Sequence, residues 1–286
     1  MEKIRKLKKV VEGAPKIDGA GVRLLRVIGR DNVEDFDPFL MLDAFDSKNP
    51  EDYEKGFPWH PHRGIETVTY LMEGNVEHSD SLGNAGVIRD GDCQWMTAGS
   101  GIIHQEMPRK RPGMLGTQLW VNLPAKDKMI EPRYRDITAS QIPVLEDGDA
   151  TIRLLAGHYG DVTGPVDDIT IRPTYMDVSI KGEGTFSVET NPADTLFIYI
   201  IHGTGILKAE EHAPLPAKKA VLFREGEQFS ITAGSDGIRF LLFSGKPLQE
   251  PVAWGGPIVM NTKEELQQAF KELDEGTFIK TGSRRR

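Results

Sequence analysis

Apolar and polar residues alternate along this chain in short runs, each closed by Gly, Pro, Asn or Asp. The runs are Val22 to Val27, Glu66 to Met72, Cys93 to Met96, Leu119 to Leu123, Thr151 to Ala156, Tyr175 to Ile180, Leu196 to Ile201 and Arg239 to Phe243. A period of two is that of a strand with one face buried. Many short strands spaced by turn residues predict a sandwich or barrel, so the expected fold class is all-β. One segment has the helical period instead. Between Lys263 and Leu273 the apolar residues Leu266, Ala269, Phe270 and Leu273 fall on one stripe, and Thr262 with Glu265 offers a capping box. A short C-terminal helix, acting as a brace, is expected there.

The strand pattern repeats within the chain. Gly91-Asp-Cys-Gln-Trp-Met-Thr-Ala-Gly-Ser100 and Gly226-Glu-Gln-Phe-Ser-Ile-Thr-Ala-Gly-Ser235 share their first Gly and their Thr-Ala-Gly-Ser at one spacing. Upstream, Tyr70-Leu-Met-Glu-Gly74 resembles Tyr199-Ile-Ile-His-Gly203. Internal self-similarity of this kind reads as one β-domain duplicated. The weakly patterned stretch between Asp136 and Ala150 separates the copies, which gives domains of residues 1–137 and 138–286.

Composition narrows the class. The 286 residues are 38% hydrophobic and 27% charged, with 30 Gly and 18 Pro, as expected of many short elements joined by turns. The longest apolar stretch, Thr195 to Ile201, is far shorter than a membrane helix. Lys3, Arg5, Lys6, Lys8 and Lys9 are not followed by an apolar core, so no secretory signal is read and a cytoplasmic protein is expected. Cys93 is the only cysteine, which rules out an intrachain disulfide and a thiolate-rich zinc site. A formal net charge of −8 disfavours direct nucleic-acid binding, and Arg284, Arg285 and Arg286 read as a solvated tail.

The candidate chemistry lies in two dipeptide-spaced pairs, His60 with His62 and His104 with Glu106. Residues at i and i+2 of a strand share a face, so each pair offers two ligands side by side. Two such strands facing each other would bring three imidazoles and a carboxylate to one transition-metal ion, Fe, Mn, Co, Ni, Cu or Zn. Either pair alone is a common accident of sequence; together they take three of the seven histidines into ligand spacing. Pro61 removes a ladder donor and places the segment on an edge or rim, where solutes can enter. Glu66 is either a fifth ligand or a hydrogen-bonded support. His78, His158, His202 and His212 have no partner at ligand spacing and read as ordinary polar residues. The second copy lacks the pairs, since the offsets of His104 and Glu106 from Thr97 lead from Thr232 to Arg239 and Leu241.

His60-Pro-His-Arg-Gly-Ile-Glu-Thr-Val-Thr-Tyr70, the Gly91 to Pro108 segment containing His104-Gln-Glu106, and Gln118-Leu-Trp-Val-Asn-Leu-Pro124 together resemble the pirin family of the cupin superfamily. Asp37 to Asp43 and Phe240 to Leu248 fit as well, so the resemblance spans nearly the whole chain. It implies two cupin-type barrels (double-stranded β-helices) in tandem, with one metal, usually Fe(II), held by His60, His62, His104 and Glu106 in the first.

Two functions follow from the resemblance. As an enzyme, the chain would be a quercetin 2,3-dioxygenase-like protein opening a flavonol or related phenol with O2. Glu106 would then be the base for the 3-hydroxyl proton, and Phe57, Trp59, Gln118 and Trp120 would form the wall of the substrate pocket. As a regulator, it would be a metal- and redox-dependent module binding a protein partner. Neither reading involves nucleic acid or a membrane.

Overall fold

The computed structural model describes residues 3–166, 169–208, 210 and 213–280; His212 and Arg284 to Arg286 lie outside them. Every run expected as a strand is one, and most extend beyond the run: Val22–Ile28, Ile65–Glu73, Cys93–Thr97, Met114–Asn122, Ala150–Ala156, Thr174–Ile180, Thr195–Ile206 and Gln228–Gly245. The last two grow most, because each runs through a bend into a second pairing partner. The helix spans Lys263–Asp274, with Thr262 Oγ1 accepting from Glu265 N–H and the Glu265 carboxylate accepting from Thr262 N–H, both at 3.1 Å. A one-turn helix at Val33–Phe36 had no periodic signature.

The chain packs as two compact units, one of Met1–Gly13, Glu34–Pro38 and Ser140–Pro247, the other of Ala14–Val33, Phe39–Ala139 and Leu248–Arg286. Besides the break at Ala139/Ser140, the terminal segments are exchanged: strand Leu7–Glu12 joins the later sequence by pairing with Lys219–Phe223, while the residues after Pro247 join the earlier sequence. Local periodicity carries no trace of such an exchange, and a division into 1–137 and 138–286 is blind to it.

Both units are built on one strand scheme. In the unit holding Phe39–Ala139, a seven-stranded sheet runs in the order Arg133–Ile137, Cys93–Thr97, Ile65–Glu73, Met114–Asn122, Phe39–Ser47, Val22–Ile28, Ala14–Asp18. A four-stranded sheet has the order Phe57–His62, Ile102–Pro108, Val76–Asp80, Ala85–Ile88. In the other unit the same neighbours recur as Leu7–Glu12, Lys219–Phe223, residues 195–200, residues 238–245, Thr174–Ile180, Ala150–Ala156 and Val144–Asp147. There residues 228–232 pair with Thr185–Glu189 as Ile102–Pro108 pairs with Phe57–His62. The duplication read from sequence is therefore present in the topology.

One of the two sequence matches is in register and the other is not. Tyr70 and Tyr199 occupy the same place, four residues before glycines of positive φ, Gly74 (140°) and Gly203 (77°). The Gly91 and Gly226 segments do not correspond: Cys93–Thr97 pairs with Ile65–Glu73, whereas Gln228 to Thr232 takes the place of Ile102–Pro108. Arg239 and Leu241 are thus not the counterparts of His104 and Glu106; matched through the strand pairings, those are Phe229 and Ile231. Similar turn-and-strand sequences produced the false alignment because both precede a bend. Arg239 instead forms a two-pronged pair with Asp177 (2.9 and 2.6 Å), on the face opposite the apolar interior residue Phe240.

Candidate metal centre

Strand Phe57–His62 forms the edge of the four-stranded sheet and, among the described residues, pairs only with Ile102–Pro108. Pro58 and Pro61 donate no ladder bond, which an edge strand tolerates. The register sets His60 opposite His104, and alternation brings His62 to the same face as His60. The three rings meet with centroids 4.8 Å (His60–His62), 4.4 Å (His60–His104) and 5.1 Å (His62–His104) apart. Their nearest ligand atoms all lie within 4.8 Å of one another.

Each ring is fixed from behind. His60 Nδ1 lies 2.8 Å from the Pro58 carbonyl oxygen, His62 Nδ1 3.1 Å from that of Pro257, and His104 Nδ1 2.9 Å from the Tyr134 hydroxyl. A carbonyl only accepts, so His60 and His62 carry a proton on Nδ1, which makes Nε2 the ring nitrogen left to face an ion. Nε2 of His62 and of His104 is buried without any hydrogen-bond partner. Burial holds the pKa of both rings well below the usual histidine range, and for His62 the neighbouring His60 adds to this. Neutral imidazoles with aimed, unpartnered nitrogens are what a transition ion requires, and buried polar atoms otherwise seldom go unpaired. The donor set fits the ion.

Glu106 stands two residues beyond His104 on the same inward face. Its carboxylate accepts from Gln118 Nε2 at 3.1 Å (Oε1) and 2.8 Å (Oε2) and from Thr69 Oγ1 at 3.0 Å (Oε1). It is held inside the barrel by these bonds and lies outside the three-histidine group. Thr69, Gln118 and, further along, Gln94 belong to a polar row that crosses the seven-stranded sheet through successive ladder partners: Arg26, Asp43, Gln118, Thr69, Gln94, Asp136. Arg26 grips Asp43 with two bonds (2.9 and 2.7 Å), and that carboxylate holds the guanidinium pKa above its ordinary value.

The four residues expected to wall a pocket divide. The Trp120 ring packs edge-on against His62 (5.1 Å), and Gln118 reaches Glu106. The Phe57 ring lies 6.5 Å from that of His60 and 6.1 Å from that of Phe45. Trp59 is 53% exposed, because the neighbour of an inward-facing histidine on a strand must face out; the structure does not bring it to the site. Glu66 is also separate. The turn at Arg63–Gly64 puts it on another strand from His62, and its carboxylate accepts from Trp95 Nε1 (3.0 Å) and Thr97 Oγ1 (2.7 Å) on the face opposite Thr69. It is a buried support for that sheet.

Sequence reasoning missed Tyr134, Thr69 and Pro257, which reach the site from distant strands or from the C-terminal segment. His78, set aside as ordinary, is buried and stacks on Tyr134 with ring centroids 5.5 Å apart. Among the described residues, no helix is long and apolar enough to cross a membrane.

A β-barrel with three inward histidines on two paired strands, one of them a sheet edge, defines the class as a cupin whose histidine cluster could hold a metal ion. The pirin family model matches residues 21–121, and the model of the pirin C-terminal cupin domain matches residues 175–279. The chain belongs to the pirin family. A Pseudomonas aeruginosa protein provisionally named a quercetin 2,3-dioxygenase is 42% identical over 97% of this chain and 99% of its own. A pirin-like protein of Caulobacter vibrioides is 42% identical over 96% and 99%. The crystal structure of quercetin 2,3-dioxygenase from Acinetobacter baumannii superposes with a TM-score of 0.86 at 31% identity, covering 96% of this chain and 98% of that one.

Proposed function

We propose that this chain is a metal-dependent dioxygenase of the quercetin 2,3-dioxygenase type, using O2 to open the ring of a flavonol or a related phenol. The observation that carries this reading is the set of three imidazoles fixed through Nδ1, two of which, His62 and His104, bury an unpartnered Nε2 on the inner face. We read His60, His62 and His104 as ligands of one divalent ion, most suitably Fe(II), and Glu106 as the fourth. A carboxylate has about four acceptor sites. Three are taken by Thr69 and Gln118, which leaves one lone pair on Oε2 for the ion.

Such an ion, when bound, would supply Lewis-acid and redox chemistry toward a phenol oxygen and O2. The protein's own part is binding and proton transfer. Glu106 would take the proton of the 3-hydroxyl group on that same Oε2 lone pair, at a stage when it is not engaged by the ion, and the two Gln118 bonds keep its carboxylate aimed while it does so. Trp120, packed against His62, and Phe57, near His60, are the aromatic groups we read as suited to a planar aromatic ring. Burial pushes the thiol of Cys93 far above the ordinary cysteine range and leaves it inert.

The test is loss of quercetin absorbance in air by the Fe(II)-loaded protein, with release of carbon monoxide, compared with Glu106→Gln. We expect turnover in the wild type and at least a hundredfold loss in the variant, within the range for a general base. A metal-loaded wild type with no turnover above buffer would overturn the enzyme reading and favour a regulatory module that binds a protein partner.

A further inference from the structure

Resting on the metal reading above, we propose that the C-terminal segment is a working part of the histidine centre, and that Arg63 is the positioning residue coupling it to His62. His62 is the one ligand whose Nδ1 acceptor comes from far along the chain, the Pro257 carbonyl. That carbonyl sits in the two-residue turn between strands Ala253–Gly255 and Ile258–Met260, where Gly256 takes the positive φ (53°) such a turn demands. The placement of this turn decides whether His62 keeps its tautomer and its aim.

Arg63 follows His62 and turns the other way, into a site only 2% exposed. Every part of its guanidinium is engaged. Nε donates to the Ser100 carbonyl (2.7 Å), Nη2 to the Phe278 carbonyl (2.8 Å), Nη1 lies 2.8 Å from Glu272 Oε2 in the C-terminal helix, and the plane covers the Phe278 ring at 4.1 Å. The backbone is interlocked as well: Val259 N–H donates to the Arg63 carbonyl (3.1 Å), and a Cβ on Gly64 would fall 2.0 Å from the Val259 oxygen. Lys128 Nζ ties both sides by donating to the Gly64 and Val259 carbonyls (2.9 and 3.1 Å). Only a planar fork with five donors serves the three partners at once, so lysine is not equivalent here.

The test uses the full-length, metal-free protein with Arg63→Lys and Glu272→Gln, Ni(II) as the probe ion in competition with a chelator, and ¹⁵N shifts of the His62 ring. We expect Ni(II) affinity to fall at least tenfold in Arg63→Lys and several-fold in Glu272→Gln, in line with losses of second-sphere contacts. The His62 ring should pass from a single Nδ1–H tautomer to a mixture in chains that still unfold cooperatively. A folded Arg63→Lys protein with wild-type affinity and an unchanged tautomer overturns the proposal and leaves the metal reading standing; should that variant fail to fold, the same result in Glu272→Gln does so. A wild type that takes up no Ni(II) overturns the metal reading and this proposal with it.

Discussion

The two barrels share strand order and register yet have opposite interiors. The row Arg26, Asp43, Gln118, Thr69, Gln94, Asp136 crosses one sheet. Followed through the same ladders, the other barrel has Leu154, Met176, Leu242, Ile198, Val221 and Val10. His104 and its partner His60 correspond to Phe229 and its partner Val188. The second barrel is filled by an apolar cluster that includes Phe186, Phe229, Phe240 and Leu242, which gains from removing apolar area from water. The first keeps polar groups inside, each needing a partner. One backbone scheme thus supports either a packed core or a chemical site, and side chains at matched positions decide which.

Carrying residues from the packed barrel into the other is the direct way to break the comparison. The largest effect is expected from His104→Phe, which puts the Phe229 side chain at the ligand position. Metal affinity should fall by more than about a hundredfold, beyond the loss typical of outer contacts, as elemental analysis after dialysis would show. Next is the Arg26–Asp43 pair. Asp43→Met alone should cost about 2 kcal/mol in denaturant unfolding, below the figure for a fully buried pair because Arg26 is partly open to solvent. Adding Arg26→Leu should recover most of that loss; a double variant no better than the single would mean that the pair is not an exchangeable module.

Smaller effects sharpen the picture. Gln118→Leu, matching Leu242, frees the Glu106 carboxylate and should lower quercetin turnover about tenfold with metal content kept, an effect of the size expected for a lost aiming contact. Tyr134→Phe removes the His104 Nδ1 partner and should weaken Ni(II) binding about tenfold. Trp59→Ala should change turnover by less than about twofold, as for an exposed side chain away from the site; a large loss would return Trp59 to the pocket.

Local pattern made much of this legible. Spacing of two on a strand was enough to nominate His60, His62 and His104, because a pleated strand has no other way to present such residues. The same alternation, applied once more, would have turned Trp59 outward. The repeat was harder to place: Gly91–Ser100 and Gly226–Ser235 look alike as strings but lie on different strands, since short strands ending in Thr-Ala-Gly-Ser carry no label of their neighbours. Tyr134, Thr69 and Pro257 were out of reach for a related reason. Their roles depend on which strands become adjacent, and nothing in a tyrosine or a proline announces a histidine 30 or 195 positions away.

The exchange of terminal segments also sets a schedule. The unit that carries the histidines includes Leu248–Arg286, so its own contacts span most of the chain. As a nascent polypeptide emerges, His60, His62 and His104 are made early, but the Pro257 carbonyl and the Glu272 and Phe278 partners of Arg63 arrive only after the whole second barrel has been synthesised. Contacts of such separation form slowly, and domains tend to fold as units during synthesis. The first barrel therefore stays unfinished while the second completes, and on the metal reading proposed above tight capture of an ion would be a late event that waits for Leu248–Arg286.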